Sequence, residues 1–145
     1  MKFTIYSADC SGNQKNCVYP NTCAIDNEKD FKTAVAFDHV CGKFKNSHRN
    51  ISQFIEGDVA VMDCDNEYTD NSSEWMTFAK IDRLLPSVAY AIAPSRHNNL
   101  VKDGKSARPR FHVYFPHGKI TDAQDYANLK AAIYRRFPFF DGNAI

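Results

Sequence analysis

The sequence predicts an α+β fold, and three observations carry that expectation. Stretches with apolar residues at helical spacing are interspersed with shorter runs that alternate or are continuously apolar. Capping and breaking residues fall at the joints between them. A chain of 145 residues that is 43% hydrophobic and 13% aromatic can bury a core and is not disordered by composition.

Taken in order, Lys2-Phe3-Thr4-Ile5-Tyr6 alternates like a short strand, and Asp9 to Asn27 is a loop rich in Asn, Gly, Pro and Ser. From Glu28 to about Phe44 the residues Ala34, Phe37, Val40, Cys41 and Phe44 follow helical spacing, with His39 beside the stripe as a structural residue. Lys43, Lys45, His48 and Arg49 then form a polar stretch, either a charged helix end or a nucleic-acid contact. Ile51 to Ile55 is a short strand candidate, and Gly57 is expected to turn the chain into the apolar run Val59-Ala60-Val61-Met62. Asn71 with Glu74 resembles a helix cap, followed by the apolar face Phe78, Ile81, Leu85 and the stop at Pro86. Ser87 to Ala93 reads as a strand, Ser95 to Ala107 as a basic loop, and Arg108 to Pro116 as another strand. In that strand Arg110, His112 and Tyr114 share one face, expected to have no helix over it, while Phe111, Val113 and Phe115 share the other. Thr121 and Gln124 spell a capping box, and Tyr126, Leu129, Ile133 and Phe137 run down one helical face to Pro138.

This order is that of an RRM-like (ferredoxin-like) βαββαβ core over residues 58–145, preceded by a small α/β module over residues 1–57. In such a core the first and third strands are central neighbours, so Asp63, Asp65 and His112 are expected side by side on one sheet face. The last strand is expected to lie beyond Ile145. On that expectation the chain is a fragment whose Phe137, Phe139 and Phe140 leave apolar surface exposed.

The chemistry centres on the end of the apolar run, Asp63-Cys64-Asp65. Alternation along a strand puts both carboxylates on one face, about 7 Å apart, with Cys64 facing the other way. Carboxylates held in this way repel unless a cation lies between them, and oxygen ligands suit Mg²⁺ or Mn²⁺. The alternative is a solvated acidic turn, because Asn66, Glu67, Thr69, Asp70 and Asn71 follow at once. The net charge of +1 is uninformative, but its distribution is not. Seven acidic residues and no Lys or Arg lie between Glu56 and Glu74, and six basic residues against one acid lie between Arg96 and Lys119. A segment that can hold metal and one that can hold phosphate are what a metal–nucleotide site requires.

No apolar run approaches a membrane span and the first residues lack a secretory signal, so a cytoplasmic protein with no membrane association is expected. The five cysteines are then read as reduced thiols. Cys10, Cys17 and Cys23 lack the Cys-x-x-Cys spacing of most structural zinc sites.

An apolar strand ending Asp-x-Asp, a later His before Val-Tyr-Phe, and Phe-Phe-Asp after the second helix together resemble the three motifs of the archaeo-eukaryotic primase superfamily, in particular primase-polymerase domains of bacterial phages and mobile elements. The resemblance covers Asp58 to Ile145. It implies Asp63, Asp65 and Asp141 as catalytic metal ligands for Mg²⁺ or Mn²⁺, and His112 as the second-motif histidine, with Arg110 where the family usually has Ser. Ser95-Arg96-His97 is a second Ser-x-His candidate, in a loop. The implied function is template-dependent primer synthesis, with Ser95, Arg96, Lys102, Arg108 and Arg110 around the triphosphate. The implied partners are a single-stranded DNA template, nucleoside triphosphates and a replicative helicase. Two other readings compete. A metal-dependent nuclease or rolling-circle initiator would need a closer His pair than His112 and His117. An RRM-like single-stranded nucleic-acid binder would stack bases on Tyr114 and Phe115 but has no need of Asp63 and Asp65.

Overall fold

The computed structural model describes residues 1–142. It is a mixed α+β structure with a three-stranded sheet, a four-stranded sheet and three α-helices, its strand pairs antiparallel where the register is defined. Two compact units emerge, Met1–Ala60 with Pro116–Leu129, and Val61–Phe115 with the chain from Lys130 on.

In the first unit, β1 (Phe3–Ser7) has β2 (Asn21–Ile25) on one side and β3 (His39–Val40) on the other. Helix α1 (Glu28–Val35) starts at Asn27, whose side chain accepts the Asp30 N–H. It buries Phe31 and Ala34, with the Phe31 ring edge-on to Phe3. The helix expected to reach Phe44 stops here, and long-range partners explain why. The Asp38 carboxylate accepts the N–H groups of Gly12 and Asn13, both at 2.8 Å, which ties the chain to the Asp9–Asn27 loop. Val40 then pairs with Tyr6. The residues that follow form β4 (Gly42–Phe44) and pair with the start of β5 (Phe54–Cys64).

Ile51–Gln53 is a 3₁₀ turn rather than a strand. Gly57 does not turn the chain either, because β5 runs straight through it, and the boundary expected between residues 57 and 58 falls inside this strand. Glycine is required there by close approach. A Cβ would lie 3.1 Å from the Tyr126 ring and 3.2 Å from the Cys41 carbonyl oxygen.

In the second unit, Asn71 caps only a 3₁₀ turn (Ser72–Glu74), and Thr77 caps α2 (Phe78–Leu84). Strand β6 (Ala91–Pro94) pairs with β7 (Phe111–Ile120), which starts later and runs further than the sequence suggests. Helix α3 (Ala123–Arg136) is capped by Asp122 rather than Thr121, because the Asp122 carboxylate accepts the N–H groups of Gln124 and Asp125. The four-stranded sheet has the order β4-β5-β7-β6.

The core of the second unit joins Met62 and Cys64 of β5 to Ile81, Leu85, Phe111, Val113, Phe115 and Phe140. Phe137 and Phe139 pack against it, so the aromatic surface expected to be bare is largely covered. Burial of a side chain such as Phe140 is worth about 1.5–3 kcal/mol. The expected open face of β7 also needs correction, since Arg110 and Tyr114 are fully buried and only His112 of the three keeps some exposure. Among the described residues no helix is long and apolar enough to cross a membrane.

Candidate functional site

Strand β5 delivers its last residues as alternation demands. Cys64 is fully buried, and burial pushes its thiol up to about 12. Asp63 and Asp65 keep partial exposure on the other side. His112 of β7 places Nε2 3.3 Å from Asp63 Oδ1, and Lys102 places Nζ 2.6 Å from Asp65 Oδ2.

Asp141 joins them from the chain after α3. Its N–H donates to the Asp63 carbonyl at 2.9 Å, and its Oδ2 accepts the Asp65 N–H at 3.2 Å. Main-chain bonds therefore fix its position. Burial first, then the charge of Asp65, raises the Asp141 carboxyl to about 6, with smaller repulsion from Asp63 and Glu67. The Asp65 N–H opposes this rise without cancelling it. Lys102 shifts upward, chiefly through its bond to Asp65, while burial and the charge of Arg110 pull it down.

One organiser of this region carries no sequence signal. Asn66, fully buried and at φ 54°, donates to the carbonyls of Met76 and Pro109 and accepts the Met76 N–H. A left-handed Asn just past a strand is a known turn former. Its remote partners are not readable from neighbouring residues.

The basic residues divide. Arg108, expected beside a triphosphate, is instead a brace for the acidic loop. Its buried guanidinium donates to Asn66 O, Thr69 O, Asp70 Oδ1, Ser106 O and Ser106 Oγ, and lies over the Trp75 ring. Arg110 is equally buried but donates only through Nη1, to the carbonyls of His97 and Leu100. Arg96 lies exposed in the same loop, and Ser95 donates its N–H to the Arg110 carbonyl. Of the two histidine candidates, His112 meets Asp63 through its ring, whereas His97 meets Arg110 through its main chain.

Among the described residues no group of three or more His, Cys, Asp or Glu side chains is arranged to hold a metal ion. The chemistry of the donors nevertheless fits a hard divalent cation. Carboxylate oxygens are hard donors, Asp141 is tied to Asp63 and Asp65 through their main chain, burial and then the charge of Asp65 disfavour its ionised form, and Lys102 engages Asp65. No family model matches this chain, and neither curated proteins nor solved structures give a significant match.

Proposed function

We propose that the chain is the catalytic core of a primase-polymerase of the archaeo-eukaryotic primase superfamily, which joins nucleotides on a single-stranded DNA template. The observation that carries this reading is the meeting of three separated motifs. Asp141 of Phe-Phe-Asp bonds to both Asp63 and Asp65, while His112 bonds to Asp63. The strand order supports an RRM-like core, because β5 and β7 are neighbours with β6 outside β7. The edge of β5 that a final strand would take in a βαββαβ core is occupied along residues 54–57 by β4, which comes earlier in the chain.

Asp63, Asp65 and Asp141 would hold Mg²⁺ or Mn²⁺. Such ions neutralise triphosphate charge and favour ionisation of the attacking 3′-hydroxyl. The protein's own contributions follow from its contacts. Asn66 and Arg108 keep the acidic loop in one conformation, which preorganises the carboxylates. His112 has a ring nitrogen on Asp63 that can turn to donate to a phosphate oxygen. Lys102, released from Asp65 when a stronger cation competes, adds positive charge for the triphosphate.

The binding-module reading loses its platform, because Tyr114 and Phe115 are buried and offer no ring face for bases. The test is incubation with single-stranded template, labelled nucleotides and Mg²⁺ or Mn²⁺. Short oligonucleotides that depend on template and metal are the expected product. Their absence with both metals and with both ribo- and deoxynucleotides would remove the assignment.

A further inference from the structure

The five cysteines sit in different chemical surroundings. Cys41 and Cys64 are buried. Cys10 donates its thiol to the Asp38 carboxylate at 3.6 Å, and loss of hydration first, then that bond, raises it above the ordinary thiol range. Cys23 shares a hydrogen bond with the Ser7 hydroxyl at 3.4 Å. Cys17 instead faces a base, with its Sγ 3.2 Å from His48 Nε2. Cys17 is half-buried and His48 exposed, so a small reactant can reach the pair. Such a pair shares one proton, either as a thiol donating to imidazole or as an imidazolium donating to a thiolate, and the second form is the nucleophile.

Main chain brings the two together. Val18 and His48 form an isolated antiparallel bridge. On one side of it the Arg49 N–H donates to the Cys17 carbonyl at 2.8 Å, and on the other the Tyr19 N–H donates to the Ser47 carbonyl at 2.9 Å. Asn46 and Ser47, at φ 56° and 57°, lead into the bridge in the left-handed conformation, which is uncommon for Ser. The segments that meet there, residues 10–23 and 41–53, carry four basic residues, Lys15, Lys43, Lys45 and Arg49, and no acid. Acids reach the first segment away from Cys17, Asp38 at residues 10, 12 and 13 and Asp9 at Asn21. Positive surroundings favour the thiolate.

We propose that Cys17 is the reactive thiol of this chain, activated by His48, and that its substrate class is hydroperoxides, which oxidise it to the sulfenic acid. The thiolate sulfur attacks the hydroxyl oxygen of the hydroperoxide, and the S–O bond forms as the O–O bond breaks. The departing hydroxide or alkoxide takes the proton of the His48 imidazolium and leaves as water or alcohol. Sulfur loses two electrons and the peroxide gains them, so no further co-reactant is needed. This chemistry is independent of the nucleotidyl-transfer reading, in which Cys17 and His48 take no part.

The test is limiting iodoacetamide on the folded full chain, with the label on each cysteine quantified by peptide mass spectrometry. A second arm adds hydrogen peroxide with dimedone, which traps sulfenic acids. An ordinary thiol is roughly 3% ionised at pH 7, so a thiol ionised by its partner should be labelled about tenfold faster than Cys10 or Cys23 once its lower intrinsic nucleophilicity is counted. His48→Gln should remove that advantage at pH 7 and matter little near pH 10, where ordinary thiols ionise without help. Dimedone should mark Cys17 ahead of the other cysteines. Equal labelling of Cys17, Cys10 and Cys23 would overturn the proposal. So would an unchanged Cys17 rate at pH 7 in His48→Gln, or dimedone adducts that fall on other cysteines first. The comparison among cysteines is made within the wild type, so it decides the matter even where the His48 variant fails to fold.

Discussion

Aspartates in the two units solve the same problem in opposite ways. In the first, Asp58 accepts the N–H and hydroxyl of Thr4 at 2.8 and 3.0 Å, and Asp38 accepts two backbone N–H groups and the Cys10 thiol. Both are surrounded by donors of the fold itself. In the second, Asp141 is partly buried beside Asp65 and Asp63, and burial first, then the charge of Asp65, push its carboxyl up to about 6 although it accepts the Asp65 N–H. A carboxylate whose donors are all internal holds structure. Asp141, whose charge is disfavoured by burial and by its acidic neighbours, is the same residue type as Asp38 and Asp58, so this difference is invisible in the sequence.

The contrast can be broken most sharply by removing charge in the second unit. Asp63→Asn or Asp65→Asn should lower nucleotide incorporation by roughly a thousandfold, the scale of losing a group that acts in the transition state. Unfolding curves should stay close to wild type. Retained synthesis in both variants would show that these acids are not the metal ligands.

The converse change is Asp38→Ala, which leaves the Gly12 and Asn13 N–H groups without their partner. Because these N–H groups are exposed and water can take the place of the carboxylate, the cost should be about 0.5–1.5 kcal/mol of stability. Incorporation per folded molecule should be unchanged, and denaturant titration beside a rate assay checks both halves.

His112→Ala should raise the nucleotide concentration for half-maximal rate about tenfold, the size of one charge-assisted hydrogen bond. His97→Ala, whose ring is not on the acids, should change it less than twofold. The opposite ranking would move the second motif to Ser95-Arg96-His97.

The smallest effect is on stability alone. The folded-state value of Asp141 lies above that of an unfolded Asp, so protonation favours the fold. That contribution is full below about pH 4 and is lost as pH rises through about 6. Asp141→Asn should therefore stabilise the metal-free chain at pH 7–8, on the order of 1 kcal/mol after allowance for its partial exposure, and have no effect near pH 4. Melting temperatures across that range decide it, and a variant less stable at pH 8 would mean that the acids do not repel.

What could be read from the sequence was what local patterns determine. The apolar run that puts Asp63 and Asp65 on one side of β5 is intrinsic to alternation, and the α3 stripe is long enough for its period to be unambiguous. Phe37 to Phe44 satisfied helical spacing equally well, but the pairing of Val40 with Tyr6 is a contact across more than thirty residues that no window contains. Arg108 reads as a triphosphate contact because its actual partners, the carbonyls of Asn66 and Thr69, lie about forty residues earlier. Asn66 reads as part of a solvated turn for the same reason, since a buried amide and a loop amide are spelled alike.

The bond from the Asp141 N–H to the Asp63 carbonyl separates two things usually entangled in mutagenesis. Because it uses main chain on both sides, exchanging either carboxylate for an amide leaves the spacing of the two residues in place. A thermodynamic cycle across Asp63 and Asp141 would then report the charge repulsion between them, free of the positional drift that normally contaminates such couplings. The pair can serve as an internal gauge of the local dielectric environment, read before any substrate is added.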